Sequence, residues 1–470
     1  MTFRLGGAAT DDEECLEAPV ATDGGQVVGQ QQWLIGRVDP GTRPLRTARD
    51  EDDHPCVVSP IGTRFHCCAH AAQHYGGVRR LAIVTDPVVP ERTDSGYRSP
   101  ILTRPGAVNQ ADTSPDVGVP YHYGDPFGEQ RAADSAPVVV DRSHRDVLTI
   151  GGGERLTWLE GFVSQHVSEI PDGGGAETLV LDANGRVEHH AVLADVAGTL
   201  VVDTEPGRGA DLLQFLTKMV FWADATPETA DLAVLTLTGA ALPATLEAPD
   251  GTEVTLPVGD YAGIPLPGGG VARRMPWPLT GSIDLLVPRS ELSAWFDAAV
   301  AAGARPAGSW AFEALRAAGT TPPRGRLGVD TDEKTIPHEL PTWIGDVAQR
   351  GAVHLDKGCY RGQETVSRVH NLGRSPRVLV RLQLDGSASD ELPVPGAEVR
   401  AAGRPVGRVG TVVQHHEDGP VALALLKRSV AVDAALEIDG VVAAVDPDSA
   451  PEDTGTQAGR EAIRRLRGQA

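Results

Sequence analysis

Residues 357 to 364 read Lys357-Gly358-Cys359-Tyr360-Arg361-Gly362-Gln363-Glu364, a cysteine between two glycines with a lysine two positions before it and a carboxylate five after. Glycines at 358 and 362 let the backbone turn tightly and come close to a ligand, and Thr365 to His370 can start a helix just beyond. A tight turn feeding a helix constrains the surrounding fold more than any other stretch of the chain. A thiol ahead of a helix amino terminus, with Lys357 nearby, has two influences favouring its thiolate. The residues alone also allow a small buried cysteine in a Gly-rich turn.

These eight residues resemble a family signature. In the YgfZ family of folate-binding proteins, relatives of the glycine-cleavage T-protein, a Lys-Gly-Cys-aromatic-x-Gly-Gln-Glu stretch closes the folate-binding region. Asp330-Thr331-Asp332-Glu333-Lys334-Thr335-Ile336-Pro337-His338-Glu339 resembles that family's Ile-Pro-x-Glu approach to the signature. Leu181-Asp182-Ala183-Asn184-Gly185-Arg186-Val187 resembles its Asp-x-x-Gly-(Lys/Arg)-Val hairpin. The resemblance covers roughly residues 120 to 447.

The resemblance implies an α+β fold, with a T-protein-like folate-binding domain of mixed helices and antiparallel sheets over residues 116–372. A small C-terminal antiparallel β-barrel follows over 373–448, then a tail over 449–470. It implies a tetrahydrofolate-binding protein that assists iron-sulfur cluster assembly or repair and thereby cluster-dependent tRNA modification. Two alternatives stay open: a folate-dependent one-carbon (aminomethyl) transferase or demethylase, and a non-catalytic module that presents folate to a partner. The implied catalytic pair is Cys359 with Lys357 lowering its pKa, and the implied folate-binding set is Gly358, Tyr360, Gly362, Gln363, Glu364, Arg368 and Arg274. A single cysteine cannot hold a cluster, which usually takes about four protein ligands.

A reduced folate offers a flat pterin with hydrogen-bonding edges and a carboxylate tail, so its site needs aromatic walls, a few fixed polar groups and a cation. Lys357, Arg368 and the pair Arg273-Arg274 are the candidate cations, with Met275-Pro276-Trp277 as candidate walls. By itself the arginine pair reads as a solvated surface feature.

Departures from the T-protein pattern bear on catalysis. Where that enzyme's hairpin continues to its catalytic aspartate, this chain has Gly185-Arg186-Val187-Glu188-His189-His190, which reads as a hairpin surface carrying histidines. Where it has Leu-Arg-Leu-Glu, with a glutamate on the pterin, this chain has Leu315-Arg316-Ala317-Ala318. Both losses favour the YgfZ-like reading over an aminomethyltransferase.

The 470 residues suffice for two to four domains, and a formal charge of -22 argues against direct nucleic-acid binding. No apolar run approaches the roughly 18–20 residues that span a bilayer, and no signal peptide opens the chain, so a cytoplasmic protein without membrane contact is expected. Expected partners are the folate itself and iron-sulfur enzymes.

Four of the five cysteines fall within the first 68 residues. Cys56, His66, Cys67, Cys68, His70 and His74 lack the repeated ligand pair of a zinc module, so no metal site is expected there. Residues 1–115 match nothing in the family and read as a disordered extension or a misassigned start. Within them only Leu81-Ala82-Ile83-Val84 looks like a strand. The family-like chain is expected to begin near Tyr121.

From residue 137 the pattern is regular. Ala136–Asp141, Val147–Ile150, Leu232–Leu237 and Ile283–Val287 read as strands, and Asn184-Gly185 is a strong hairpin turn. Helical periodicity covers 154–167 and 211–221, and Ser290 reads as the N-cap of a helix carrying Leu292, Trp295 and Phe296.

Overall fold

In the computed structural model the described residues are 96–450, except 111–113, 373 and 388–390, together with four two-residue strands at Cys15–Leu16, Ile35–Gly36, Ala48–Arg49 and Pro55–Cys56. The chain divides into two units, Met1–Arg92 and Thr93–Ala470. The cysteine and histidine side chains at 56–74 and the stretch 81–84 lie outside the described residues. Everything below concerns the second unit.

That unit takes in packed residues upstream of 116. Ile101 is fully buried, Tyr97 donates its hydroxyl to Ser143 at 2.7 Å, and Asp116 pairs with His144 and Arg326. These early residues carry little apolar periodicity, so nothing in their pattern announces that they are packed.

An antiparallel five-stranded sheet runs in the order Thr226–Thr229, Asp146–Gly151, Thr199–Thr204, Val187–Val196, Gly174–Leu181. A six-stranded sheet has Leu232–Gly239 between Ser282–Pro288 and Pro137–Asp141, and its one parallel edge is Arg305–Ala307. Leu232–Gly239 is buried on both faces, with Thr236 and Thr238 hydrogen-bonded to Asp284 and Ser282. Val147, Val201 and Ala194 of the first sheet meet Val234, Val271 and Leu286 of the second in one cluster. Outside the first sheet lies the helix Gly209–Met219, with Leu212 and Leu216 turned inward. Against the second lies Leu292–Ala301, burying Leu292, Trp295 and Phe296.

Two helix expectations are corrected. The periodicity over 154–167 yields a helix only at Arg155–Glu160. Beyond it the Glu160 carboxylate takes the backbone N–H groups of Val167 and Ser168, while Lys357 takes the carbonyls of Glu160, Val163 and Gln165. Those partners satisfy the segment without helical bonds. Ser290 lies in a 3₁₀ turn, Arg289–Glu291, and Glu291 occupies the helix N-cap.

After the helix Gln363–Leu372 the chain forms a closed six-stranded barrel, in the order Arg377–Leu384, Gly419–Lys427, Arg404–His415, Glu398–Ala401, Leu436–Ile438, Val441–Val445. Closure removes the free edges that open antiparallel sheets expose. One barrel wall, with Leu379, Val413, Leu423 and Leu425, shares a core with Leu179 and Leu181 of the first sheet and with Tyr360 and Val366. Among the described residues no helix is long and apolar enough to cross a membrane.

Candidate functional site

The octapeptide and the Asn184-Gly185 hairpin, read separately in the sequence, meet in space. Gly185 sits at φ +78° and Gly362 at φ +83°, the left-handed region that favours glycine. A Cβ on Gly362 would lie 2.6 Å from the Asp182 carbonyl oxygen and 2.9 Å from the Gly185 Cα, and one on Gly185 would lie 2.6 Å from the Thr365 Cβ. The two glycines therefore let the start of the helix Gln363–Leu372 dock directly on the hairpin turn. Gly358 differs: no atom lies within 4 Å of where its Cβ would stand.

Lys357 is held inside this junction. Its Nζ donates to the Glu160 and Val163 carbonyls, both at 2.7 Å, and to Gln165 at 3.1 Å, with the Glu160 carboxylate 3.1 Å away. An ammonium has three N–H donors, and these partners use them all. Burial pushes its pKa below the usual lysine value, against the pull of Glu160. Tyr360 buries its ring in the shared core, with the Lys357 ammonium 5.3 Å from the ring centroid. Gln363 opens the helix and donates to the Lys357 carbonyl at 3.1 Å, so it braces the turn. Cys359 is exposed with a free thiol.

The remaining candidates stand elsewhere. Arg368 pairs with Glu364 at 2.8 Å one helical turn apart, both exposed. Such a pair contributes a few tenths of a kcal/mol. Arg274 donates to the Pro257 carbonyl at 3.3 Å. Arg273, expected in solvent, is 1 % exposed and pairs with Asp203 and Asp284 at 2.5 and 2.9 Å. Its strand is interior, and the two aspartates offset the cost of burying its charge.

His189 and His190 correct the surface reading more sharply, because both are buried. Burial, with Arg208 adding to it, lowers the His189 pKa to about 4. His190 points its Nε2 to Glu177 at 3.0 Å and stacks on Trp343. Glu177 is the hub: fully buried, it accepts from the Tyr261 hydroxyl at 2.9 Å and the Trp277 indole at 2.5 Å, and it pairs with Arg324. Against the upward push of burial, Arg324 and His190 hold its carboxyl well below the usual range.

Around the hub lies a pocket walled by Trp277 and Phe312 and by five arginines, 142, 145, 316, 324 and 326. The Arg142 guanidinium lies 4.2 Å from the Phe312 ring centroid and 5.3 Å from that of Trp277, and the two rings meet edge-on with centroids 6.3 Å apart at 68°. Burial and the neighbouring Arg145 bring its pKa down to about 10. Arg326 reaches Asp116 and Glu205, both at 2.7 Å, and Arg316 reaches Asp330 at 3.0 Å. Asp116, Glu205 and Glu313 line the pocket and Glu177 stands behind it, each paired with one of these arginines, at positions no motif marks. What remains open is a cavity of about 20 Å³, room for roughly one water-sized atom.

A second, open cleft of about 500 Å³ is lined from residues 165–175, 260–262 and 346–348 and by His354. Tyr261 lines this cleft and reaches Glu177, so one side chain joins cleft to hub.

The arrangement of sheets, helices and barrel matches the crystal structure of glycine cleavage system aminomethyltransferase T from Bartonella henselae. The TM-score is 0.61 at 17 % identity, covering 75 % of this chain and 96 % of that one. The chain has the aminomethyltransferase T fold. Residues 377–452 match the CAF17 C-terminal beta-barrel domain family. A chloroplastic protein of Arabidopsis thaliana, provisionally named a transferase, is 25 % identical over 332 residues, 67 % of this chain and 72 % of that protein. The helix Ser309–Ala318 gives Phe312 to this pocket and Ala314 and Ala317 to the core that holds Tyr360 of the octapeptide.

Proposed function

We propose that the chain binds a reduced folate in the pocket between Trp277 and Phe312 and serves as a folate-dependent helper of iron-sulfur cluster assembly or repair, and through cluster enzymes of tRNA modification. The observation that carries the folate part is a buried pocket with two aromatic walls, Trp277 and Phe312, a planar guanidinium packed over the Phe312 ring, and buried hydrogen-bonding groups around them. In chemistry the pocket, with aromatic walls and buried polar groups, suits a pterin. In volume it fits only when Arg142 turns out, and Arg142 is among the more loosely tied arginines of the wall, 3.5 Å from Asp284 and 3.1 Å from Thr236. A reduced folate, when bound, supplies one-carbon chemistry. Trp277 and Phe312 would hold the ring, Glu177 would fix Trp277 and His190, and Arg142 would exchange an internal contact for the ligand.

The iron-sulfur part rests on the resemblance of the octapeptide and on Cys359 standing exposed beside it. With Lys357 committed to carbonyls, its part is to brace the turn that presents the thiol. Calorimetric titration of the full chain with tetrahydrofolate tests the first part. Saturable binding that weakens about tenfold in Phe312→Ala, the loss of roughly 1.4 kcal/mol, supports it. Absence of saturable binding by any reduced folate refutes it. For the second part, Cys359→Ser should support cluster-enzyme activity in a deletion strain less well than wild type, and equal support refutes the thiol's role.

One observation favours the transferase reading as well. His190 stands on the strand where the T-protein resemblance puts a catalytic carboxylate, and its pairing with Glu177 beside the pocket makes a carboxylate–imidazole pair able to hold a proton. Turnover of a defined amine by purified protein with tetrahydrofolate decides between the two.

A further inference from the structure

The barrel strand Arg404–His415 pairs with Gly419–Lys427, but the register shifts between Val409 and Val412, so Gly410 and Thr411 form a bulge. The bulge is buried: Thr411 is 5 % exposed, and both its N–H and its hydroxyl reach out of the barrel. The N–H donates to Asp330 Oδ1 at 2.6 Å, and the hydroxyl oxygen accepts from Arg316 Nη2. Gly410 permits this approach, since a Cβ there would clash with Asp330 Oδ1 and stand 2.6 Å from the Asp330 Cα.

Arg316 and Asp330 carry these bonds on into the pocket wall. A guanidinium has five N–H donors, and Arg316, itself buried, uses them all: Nε and Nη2 on Glu313, Nη1 on Asp330 at 3.0 Å and on the Arg324 carbonyl, and the second Nη2 hydrogen on Thr411. Although it lines the pocket, it keeps no donor for a ligand. Asp330 Oδ2 accepts the Arg326 N–H at 2.7 Å. The wall Arg324-Gly325-Arg326 is thus pinned at one end through Arg316 and at the other through Asp330, and both pins rest on Thr411. From this wall Arg324 pairs with Glu177, and Arg326 pairs with Asp116 and Glu205. We infer that Thr411 is a positioning residue: through Arg316 and Asp330 the barrel sets the wall Arg324–Arg326, and with it the geometry in which the pocket takes its ligand. The barrel is then a working part of the pocket. The ligand half of the inference rests on the folate reading, and the wall half does not.

The test uses the full chain with Thr411→Val, which removes the hydroxyl and keeps the shape, and Thr411→Ser, which keeps the hydroxyl. Val409→Ala, which opens a void in the barrel core on the same strand, is the control for loss of stability alone. Hydrogen exchange without ligand reads the wall: the amides of 324–326 should exchange about fivefold faster or more in Thr411→Val and within about twofold of wild type in Thr411→Ser. Calorimetry reads the pocket: tetrahydrofolate should bind about tenfold more weakly to Thr411→Val, and within about twofold of wild type to Thr411→Ser and Val409→Ala. Thermal melts verify folding, and Thr411→Ala decides if Thr411→Val does not fold. Unchanged exchange in the wall overturns the inference whatever folate does. Faster exchange with unchanged affinity also overturns it, as does a loss of affinity in Val409→Ala equal to that in Thr411→Val. If wild type binds no reduced folate, the folate reading falls by itself, and exchange alone decides whether Thr411 sets the wall.

Discussion

Gly362→Ala is the substitution whose cost can be worked most directly from the geometry. At φ +83° an L side chain is strained by roughly 1–2 kcal/mol. The new methyl would also stand 2.6 Å from the Asp182 carbonyl oxygen, 2.9 Å from the Gly185 Cα and 3.0 Å from the Leu181 Cβ. None of these atoms is the far end of a flexible chain, so relief means lifting the helix from the hairpin, a further ~1–3 kcal/mol. The expected total is about 2–5 kcal/mol. Gly358→Ala is the internal control, since it has open space around it and no left-handed φ, and it should change stability by less than ~0.5 kcal/mol. Urea midpoints of the two variants and wild type, at matched slope, give the comparison. If Gly362→Ala and Gly358→Ala unfold within about 0.5 kcal/mol of each other, the glycine-to-glycine docking argument fails.

Two more outcomes follow from the same region. Lys357→Met leaves three carbonyls and the Glu160 carboxylate without their cation and should cost ~3–5 kcal/mol, whereas Cys359→Ser, fully at the surface, should leave the melting temperature unchanged; similar losses in both would refute the bracing role. Asp332 pairs with Arg377 at 2.5 Å, and against burial this brings its pKa to about 2 from an ordinary 3.8. The stabilisation is therefore full above the unfolded value and lost as pH falls through about 2. Wild type should lose more stability than Asp332→Asn between about pH 5 and pH 2, and parallel curves would remove Arg377 as the cause.

The parts of the fold written in local pattern were legible. Leu232–Leu237 and Ile283–Val287 announced strands by their largely apolar runs, Asn184-Gly185 announced its turn, and the family resemblance implied the barrel. The site was less so, because its polarity is assembled from single charged residues far apart. No motif singles out Glu177 or Arg324, yet they meet in the interior. His190 and Arg273 read as exposed because strand periodicity is hidden when both faces of a sheet are covered. For Glu177 the one available signal was its place within the apolar strand Gly174–Leu181, where an uncompensated carboxylate would be costly.

The bonds from Lys357 also impose an order of events during synthesis. Its three carbonyl acceptors lie 192 to 197 residues upstream. At about 5–20 residues per second, the loop after Glu160 waits roughly 10–40 s on the ribosome before the cation that closes it has been made. Until then those carbonyls must stay with water, and the first sheet remains a nascent structure with an unlatched loop. A chain stalled before residue 357 would present that loop to proteases and chaperones.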